Sequence, residues 1–142
     1  VQTLADMPDP PEAPLVEVER VTSISAYLTW KPVEGATVYK IRYMGYEQEL
    51  RRENVKITGL QPDRSYVFTI TAANEAGESD PVEVEIETVP FSYEYIYDGS
   101  LLKQVMSSYE EIWTYYYDDN GNNTEVIYQS EPDKADQEFD IS

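Results

Sequence analysis

The chain has 142 residues, with 28 Asp and Glu against ten Lys and Arg, a formal net charge of −18 and a hydrophobic fraction of 41% that is enough for a real core. It contains neither cysteine nor histidine, which excludes disulfides, Cys-type metal sites, most zinc sites and the Ser-His and Cys-His nucleophile pairs. The charge sums to −3 over residues 1–12, −5 over 13–90 and −10 over 91–142, so nucleic acid and anionic membrane surfaces are repelled and are poor partners.

Residues 1–13 read as a linker, because Pro8, Pro10 and Pro11 stand among acids and disfavour both helix and inner strand. From Leu15 onward, short apolar-alternating runs with turn signals between them predict an all-β sandwich. Seven strands are expected, over about Leu15–Val21, Ser25–Trp30, Thr37–Tyr43, Gln48–Arg51, Asn54–Thr58, Ser65–Asn74 and Val82–Thr88. On the second, Ile24, Ala26, Leu28 and Trp30 are expected to share a face. Tyr39, Ile41 and Tyr43 share one on the third, and Tyr66, Phe68, Ile70 and Ala72 on the sixth. The seventh alternates most plainly, with Val82, Val84 and Ile86 set against Glu83, Glu85 and Glu87.

After Pro90 the composition changes and tyrosines crowd together. Tyr93, Tyr95 and Tyr97 alternate before Asp98-Gly99, and Trp113, Tyr115 and Tyr117 alternate before Asp118 and Asn120-Gly121. The Tyr-Asp pairs lie 20 residues apart, which predicts two β-hairpins over residues 91–130, with Asn120-Gly121 at a tight turn because both residues tolerate positive φ. The four strands fall at about Ser92–Tyr97, Leu101–Ser107, Glu110–Tyr117 and Thr124–Gln129. Two hairpins cannot bury a face alone, so either they pack on the sandwich or further repeats follow. Residues 131–142, with Asp133, Asp136, Glu138 and Asp140, read as an acidic disordered tail.

The order of Pro14, Trp30, Tyr39, Tyr43, the Leu60-Pro62-Tyr66 spacing and the Asn74-Gly77-Ser79 turn resembles a fibronectin type III domain over residues 14–90. That resemblance implies a seven-stranded sandwich in which Tyr66 makes a corner hydrogen bond to backbone just upstream. It also implies a binding or spacing module rather than a catalyst. The family's adhesive Arg-Gly-Asp loop is missing, since the chain after Asn74 reads Glu75-Ala76-Gly77-Glu78. The hairpin segment is weakly similar to the tyrosine-aspartate repeats of Rhs-type surface proteins and to choline-binding or glucan-binding repeats.

Trp30, Tyr39, Ile41, Leu60, Tyr66, Phe68 and Ile70 are expected to form the structural core, since strand periodicity favours packing over a ligand pocket. Asp118, Asp119, Asn120 and Asn122 suggest a calcium loop, but the pattern places Asn123 and Gln129 where an EF-hand needs Gly and Glu. Glu110 and Glu111 with Asp118 could mimic a glycosidase pair, yet acids are too frequent here for such a pair to be diagnostic. Trp113, Tyr115 and Tyr116 are the candidate ligand-stacking residues, with mutual packing of the aromatics as the stronger alternative. No cofactor or metal is expected. The expected role is a non-enzymatic spacer or protein-interaction module of a larger secreted or surface-attached bacterial protein, of which this chain is a fragment. Its partners would be neighbouring domains, or another protein. The alternatives are glycan or cell-wall binding through the hairpins, and an accessory domain of an extracellular carbohydrate-active enzyme. With no apolar run of about eighteen residues, membrane insertion is not expected.

Overall fold

The computed structural model describes residues 9–130 and 138–141. Eight strands build the sandwich: β1 (Val16–Val21), β2 (Ala26–Trp30), β3 (Val38–Tyr43), β4 (Tyr46–Leu50), β5 (Asn54–Thr58), β6 (Ser65–Asn74), β7 (Gly77–Glu78) and β8 (Val82–Glu87). Four more form a separate meander: β9 (Tyr93–Asp98), β10 (Leu101–Ser107), β11 (Glu111–Tyr117) and β12 (Asn123–Ser130). A last strand, β13 (Glu138–Asp140), returns to the sandwich. The first sheet runs β1-β2-β5-β13, the second runs β4-β3-β6-β7 with β8 also on β6, and the third runs β12-β11-β10-β9.

The period-two alternation delivers its apolar residues to the space between the first two sheets. Ala26, Leu28, Trp30, Val55 and Ile57 from one sheet meet Tyr39, Ile41, Leu50, Phe68, Ile70, Ala72, Val84 and Ile86 from the other. Trp30 is 4% exposed and its indole meets the Tyr39 ring edge-on at 5.4 Å. Leu60 is buried in the same core. Tyr66 is half-buried at the rim, where its ring packs on Tyr43 and Phe68. The Gln61 N–H donates to the Tyr66 hydroxyl at 2.7 Å, which pins the turn between β5 and β6 to the start of β6 and completes the expected corner.

Four local expectations are corrected. Ile24 is 40% exposed and does not share the Trp30 face, because residues 22–25 form a tight turn in which the Thr22 hydroxyl accepts the Ile24 N–H. The β3–β4 hairpin turns on Met44-Gly45, both at positive φ (44° and 86°), so β4 starts at Tyr46 rather than Gln48. The turn after Tyr117 is a three-residue loop: the Gly121 N–H donates to the Asp118 carbonyl, and Gly121 alone takes positive φ (84°) while Asn120 does not. The fourth correction concerns the supposed tail. Residues 131–137 lie outside the described residues, but Glu138–Asp140 is a strand pairing in parallel with β5, and Phe139 is 7% exposed within the core. One aromatic ring placed between acids outweighs the acidic composition, because the ring enters the core while Glu138 and Asp140 stay at the surface.

Candidate functional site

The third sheet is a single layer. The Tyr97-Asp98 and Tyr117-Asp118 pairs each sit where a strand of this sheet gives way to a turn, so the two hairpins lie side by side. Register sets Tyr95, Val105, Trp113 and Tyr128 directly opposite one another across the four strands, so their side chains share a face. Alternation adds Tyr93, Tyr97, Tyr115 and Val126 to it. Tyr116 points the other way, with Ile96, Gln104, Thr114 and Ile127. The three candidate stacking residues therefore do not form one platform: Trp113 and Tyr115 belong to the aromatic face, and Tyr116 to its back.

The aromatic face is largely uncovered. Tyr95 is 56% and Tyr97 60% exposed, Tyr93 and Tyr128 are exposed, and only Val105 beneath them is buried. Ring contacts run across the strands: Tyr93 to Trp113 at 6.3 Å and Trp113 to Tyr128 at 5.5 Å. Phe91 and Tyr109 extend the cluster at one end, stacked on each other at 5.4 Å. Mutual packing leaves Trp113, Tyr115 and Tyr109 half-buried, while Tyr93, Tyr95, Tyr97 and Tyr128 stay exposed.

Polar groups fix this arrangement. The Tyr93 and Tyr109 hydroxyls lie 3.0 Å apart, and that hydrogen bond, with burial behind it, pushes the Tyr109 phenol above its ordinary range. Tyr128 donates to the Glu111 carboxylate, which also holds its phenol protonated to higher pH. Asp118 accepts the Asn120 and Asn122 N–H groups, each at 2.9 Å, and the Asn122 side chain as well. These bonds favour the charged form and lower its pKa, the Asn122 backbone contact most.

The three carboxylates that sequence alone could pair for hydrolysis have separate structural duties. Asp118 closes a turn and Glu111 holds Tyr128. Glu110, at positive φ (70°), lies 2.7 Å from the Arg20 guanidinium and accepts a long bond from the Tyr27 hydroxyl. Among the described residues, no group of three or more acidic, His or Cys side chains is placed to hold a metal ion. Nor is any helix there long and apolar enough to cross a membrane.

The hydrogen bonds between the sheet and the sandwich run through the turn between β10 and β11. The Ser23 N–H donates to the Ser108 carbonyl at 3.0 Å, and the Ser108 hydroxyl donates to the Ser23 hydroxyl at 3.0 Å. With the Arg20–Glu110 pair these contacts set the sheet's direction while leaving the aromatic face open. Phe91, Tyr109 and Tyr128 escape the sequence reading. Tyr128 does so because its register depends on a bulge: the three-residue loop alone would set Ile127 opposite Trp113, and the shift between Tyr116 and Tyr117 replaces it with Tyr128.

The model of the fibronectin type III domain matches residues 9–88. The chain belongs to the fibronectin type III family. Among curated proteins, the chain is similar to the tail tube protein gp17.1* of Bacillus phage SPP1, with 32% identity over 84 residues. That match takes in 56% of this chain but 31% of the phage protein, so the chain spans about a third of its relative's length. Among solved structures, FN3tt superposes with a TM-score of 0.50 at 25% identity, over 56% of this chain and 95% of that one. The fibronectin type III domain of human collagen alpha-1(XX) gives a TM-score of 0.52 at 24% identity, over 63% and 95%. Chitinase ChiA74 of Bacillus thuringiensis gives 0.52 at 21%, over 75% of this chain and 17% of the enzyme. The last two likenesses bear on the fold alone.

Proposed function

We propose that this chain is a non-catalytic accessory module of a larger protein outside the bacterial cell or on its surface, in which the fibronectin type III sandwich is a rigid mount and the aromatic sheet is the contact surface. The observation that carries the reading is the aromatic face itself: Tyr93, Tyr95, Tyr97 and Tyr128 are exposed together on one side of a single-layer sheet. A sheet normally buries at least one face, and an exposed aromatic patch of this kind marks interaction surfaces. Similarity to part of a phage tail tube protein supports a place beside neighbouring protein subunits of an assembly. In the parent protein, Tyr95→Ala with Trp113→Ala is expected to leave the sandwich folded while weakening attachment to the neighbouring subunits at least tenfold. Unchanged attachment would refute it.

Glycan binding is the second reading, favoured by the row Tyr93, Trp113, Tyr128 with Glu111 at its edge. Rings supply stacking area, and the carboxylate accepts sugar hydroxyls. The charge of −10 over residues 91–142 directs this reading to neutral rather than anionic polysaccharides. Titration of the full chain with neutral polysaccharides, following tryptophan emission, tests it. A saturable change lost in Trp113→Ala and kept in Trp30→Phe supports glycan stacking, and silence across the panel rejects it.

A further inference from the structure

An edge strand presents a row of unpaired backbone N–H and C=O groups, and folded proteins guard such rows with charge, proline or shortness. Among the described residues, the edge strands β1, β4, β8, β9 and β13 each carry two or more charged side chains, such as Glu47 and Glu49 on β4 or Glu94 and Asp98 on β9. β12 does not. It is the longest edge strand, with eight residues, yet it holds one charge, at Glu125, and no proline. All eight residues are exposed, with Val126, Ile127 and Tyr128 adjacent at its middle. Among the described residues its strand partner is β11 alone.

We propose that β12 is a self-association edge: two copies of this chain pair their β12 strands antiparallel about a two-fold axis at Ile127, joining their four-stranded sheets into one. The residues themselves select that register. A two-fold perpendicular to the sheet sets residues of one face opposite each other, so with Ile127 facing its own copy, Val126 faces Tyr128, Glu125 faces Gln129 and Thr124 faces Ser130. Aromatic on β-branched, amide on carboxylate and hydroxyl on hydroxyl are pairs that stabilise antiparallel strands. An axis at Glu125 would oppose two carboxylates, and one at Val126 would set Glu125 against Ile127. The antiparallel sense also separates the sandwiches. Ser130 shares a cleft with Ser25 and Lys56 of its own sandwich, whereas Asn123 lies at the far end beside the turn that Asp118 closes, so the two sandwiches stand at opposite ends of the joined sheet. The row Trp113 and Tyr128 then continues into Val126 and Tyr115 of the second copy. The pairing needs the strand edge only and does not depend on what the aromatic face contacts. One pair of short strands buries less than a stable dimer needs, and each copy carries −18, so the association is weak and strengthens with salt.

Sedimentation equilibrium of the full-length chain from about 10 μM to about 1 mM covers a contact of this size, and a monomer–dimer equilibrium tightened by salt is expected. Each dimer holds the Glu125–Gln129 pair twice, so at one ionic strength Gln129→Lys should tighten it about fivefold and Gln129→Glu loosen it about fivefold. Glu83→Gln makes the same charge change as Gln129→Lys on the exposed side of β8 and should leave the equilibrium within about twofold. The absence of cysteine allows the register to be read as well, since facing residues of adjacent strands fall within disulfide reach. Under oxidising conditions Glu125→Cys mixed with Gln129→Cys should give a mixed disulfide dimer about tenfold faster than either variant links to itself. Far-ultraviolet dichroism like that of the parent chain shows that each variant is folded. A chain still monomeric at about 1 mM in high salt would overturn the proposal, as would an equal response to Gln129→Lys and Gln129→Glu. So would Glu125→Cys linking to itself as fast as to Gln129→Cys, which random collision explains, or growth beyond the dimer, which marks β12 of one copy joining β9 of the next in an open series.

Discussion

Phe139→Ala separates two views of the last strand. Were the ring fixed in place like Phe68, which is fully buried in β6, its truncation would leave a cavity and cost about 3–5 kcal/mol. The strand can instead detach, so the loss is bounded by what docking contributes. Burial of Phe139 is worth about 2–3 kcal/mol and partial burial of Ile141 about 1. Two or three backbone bonds to β5 add about 1 kcal/mol each. Against these, ordering residues 138–141 costs about 1–1.5 kcal/mol per residue. The balance lies near 1 kcal/mol, so Phe139→Ala should lower stability by about that amount, roughly 3–5 °C in Tm for a chain of this length. Urea unfolding of the full chain, followed by tryptophan emission and far-ultraviolet dichroism beside Phe68→Ala, measures both. A loss equal to that of Phe68→Ala would show that the strand cannot release, and a loss under about 0.3 kcal/mol would show that it does not dock.

Three further outcomes follow from named contacts. Tyr66→Phe removes the acceptor 2.7 Å from the Gln61 N–H and should lower stability by about 1 kcal/mol, with faster amide exchange at Gln61; no change at either would deny the corner its role. Glu78 is held down to about 2, first by its hydrogen bond to Arg42 and then by that to Thr71, from an ordinary value near 4.5. A depressed carboxylate contributes stability above its unfolded value, and that contribution fades as pH falls from about 4.5 through about 2. The pair is about a third exposed, so Arg42→Ala should return the Glu78 titration, read by carboxyl NMR, toward 4.5, while moving stability by less than about 1 kcal/mol. An unmoved titration would contradict the assignment. Asp118→Ala frees the Asn120 and Asn122 N–H groups and should accelerate their exchange at least tenfold; protection as in the parent chain would show that the turn holds without it.

The sandwich was legible because its core follows a period of two and its turns carry Gly, Pro and Asn where the chain reverses. Val82, Val84 and Ile86 between three glutamates need no tertiary information to be placed. The Leu60-to-Tyr66 spacing announces a specific hydrogen bond for the same reason, being local. The clamp of Arg42 on Glu78 is not legible, since it depends on how β3 and β7 flank β6. Nor is β13, whose one aromatic residue sits in an acidic stretch and whose partner β5 is some eighty residues away in sequence. In the hairpin segment, alternation correctly groups Tyr93 with Tyr95 and Trp113 with Tyr115. The partner across each strand depends on register, and a single bulge decides whether Ile127 or Tyr128 faces Trp113.

The claim on which the account rests is that the sandwich holds up an uncovered aromatic face. Tyrosine nitration of the full, monomeric chain, mapped by peptide mass, tests it most directly. Tyr95 and Tyr97, at 56% and 60% exposure, should react as fast as a free tyrosine, while Tyr27 and Tyr39, at 2% and 4%, stay unmodified until unfolding. Protection of Tyr95 and Tyr97 equal to that of Tyr39 would mean that the face is already covered, and would contradict the account.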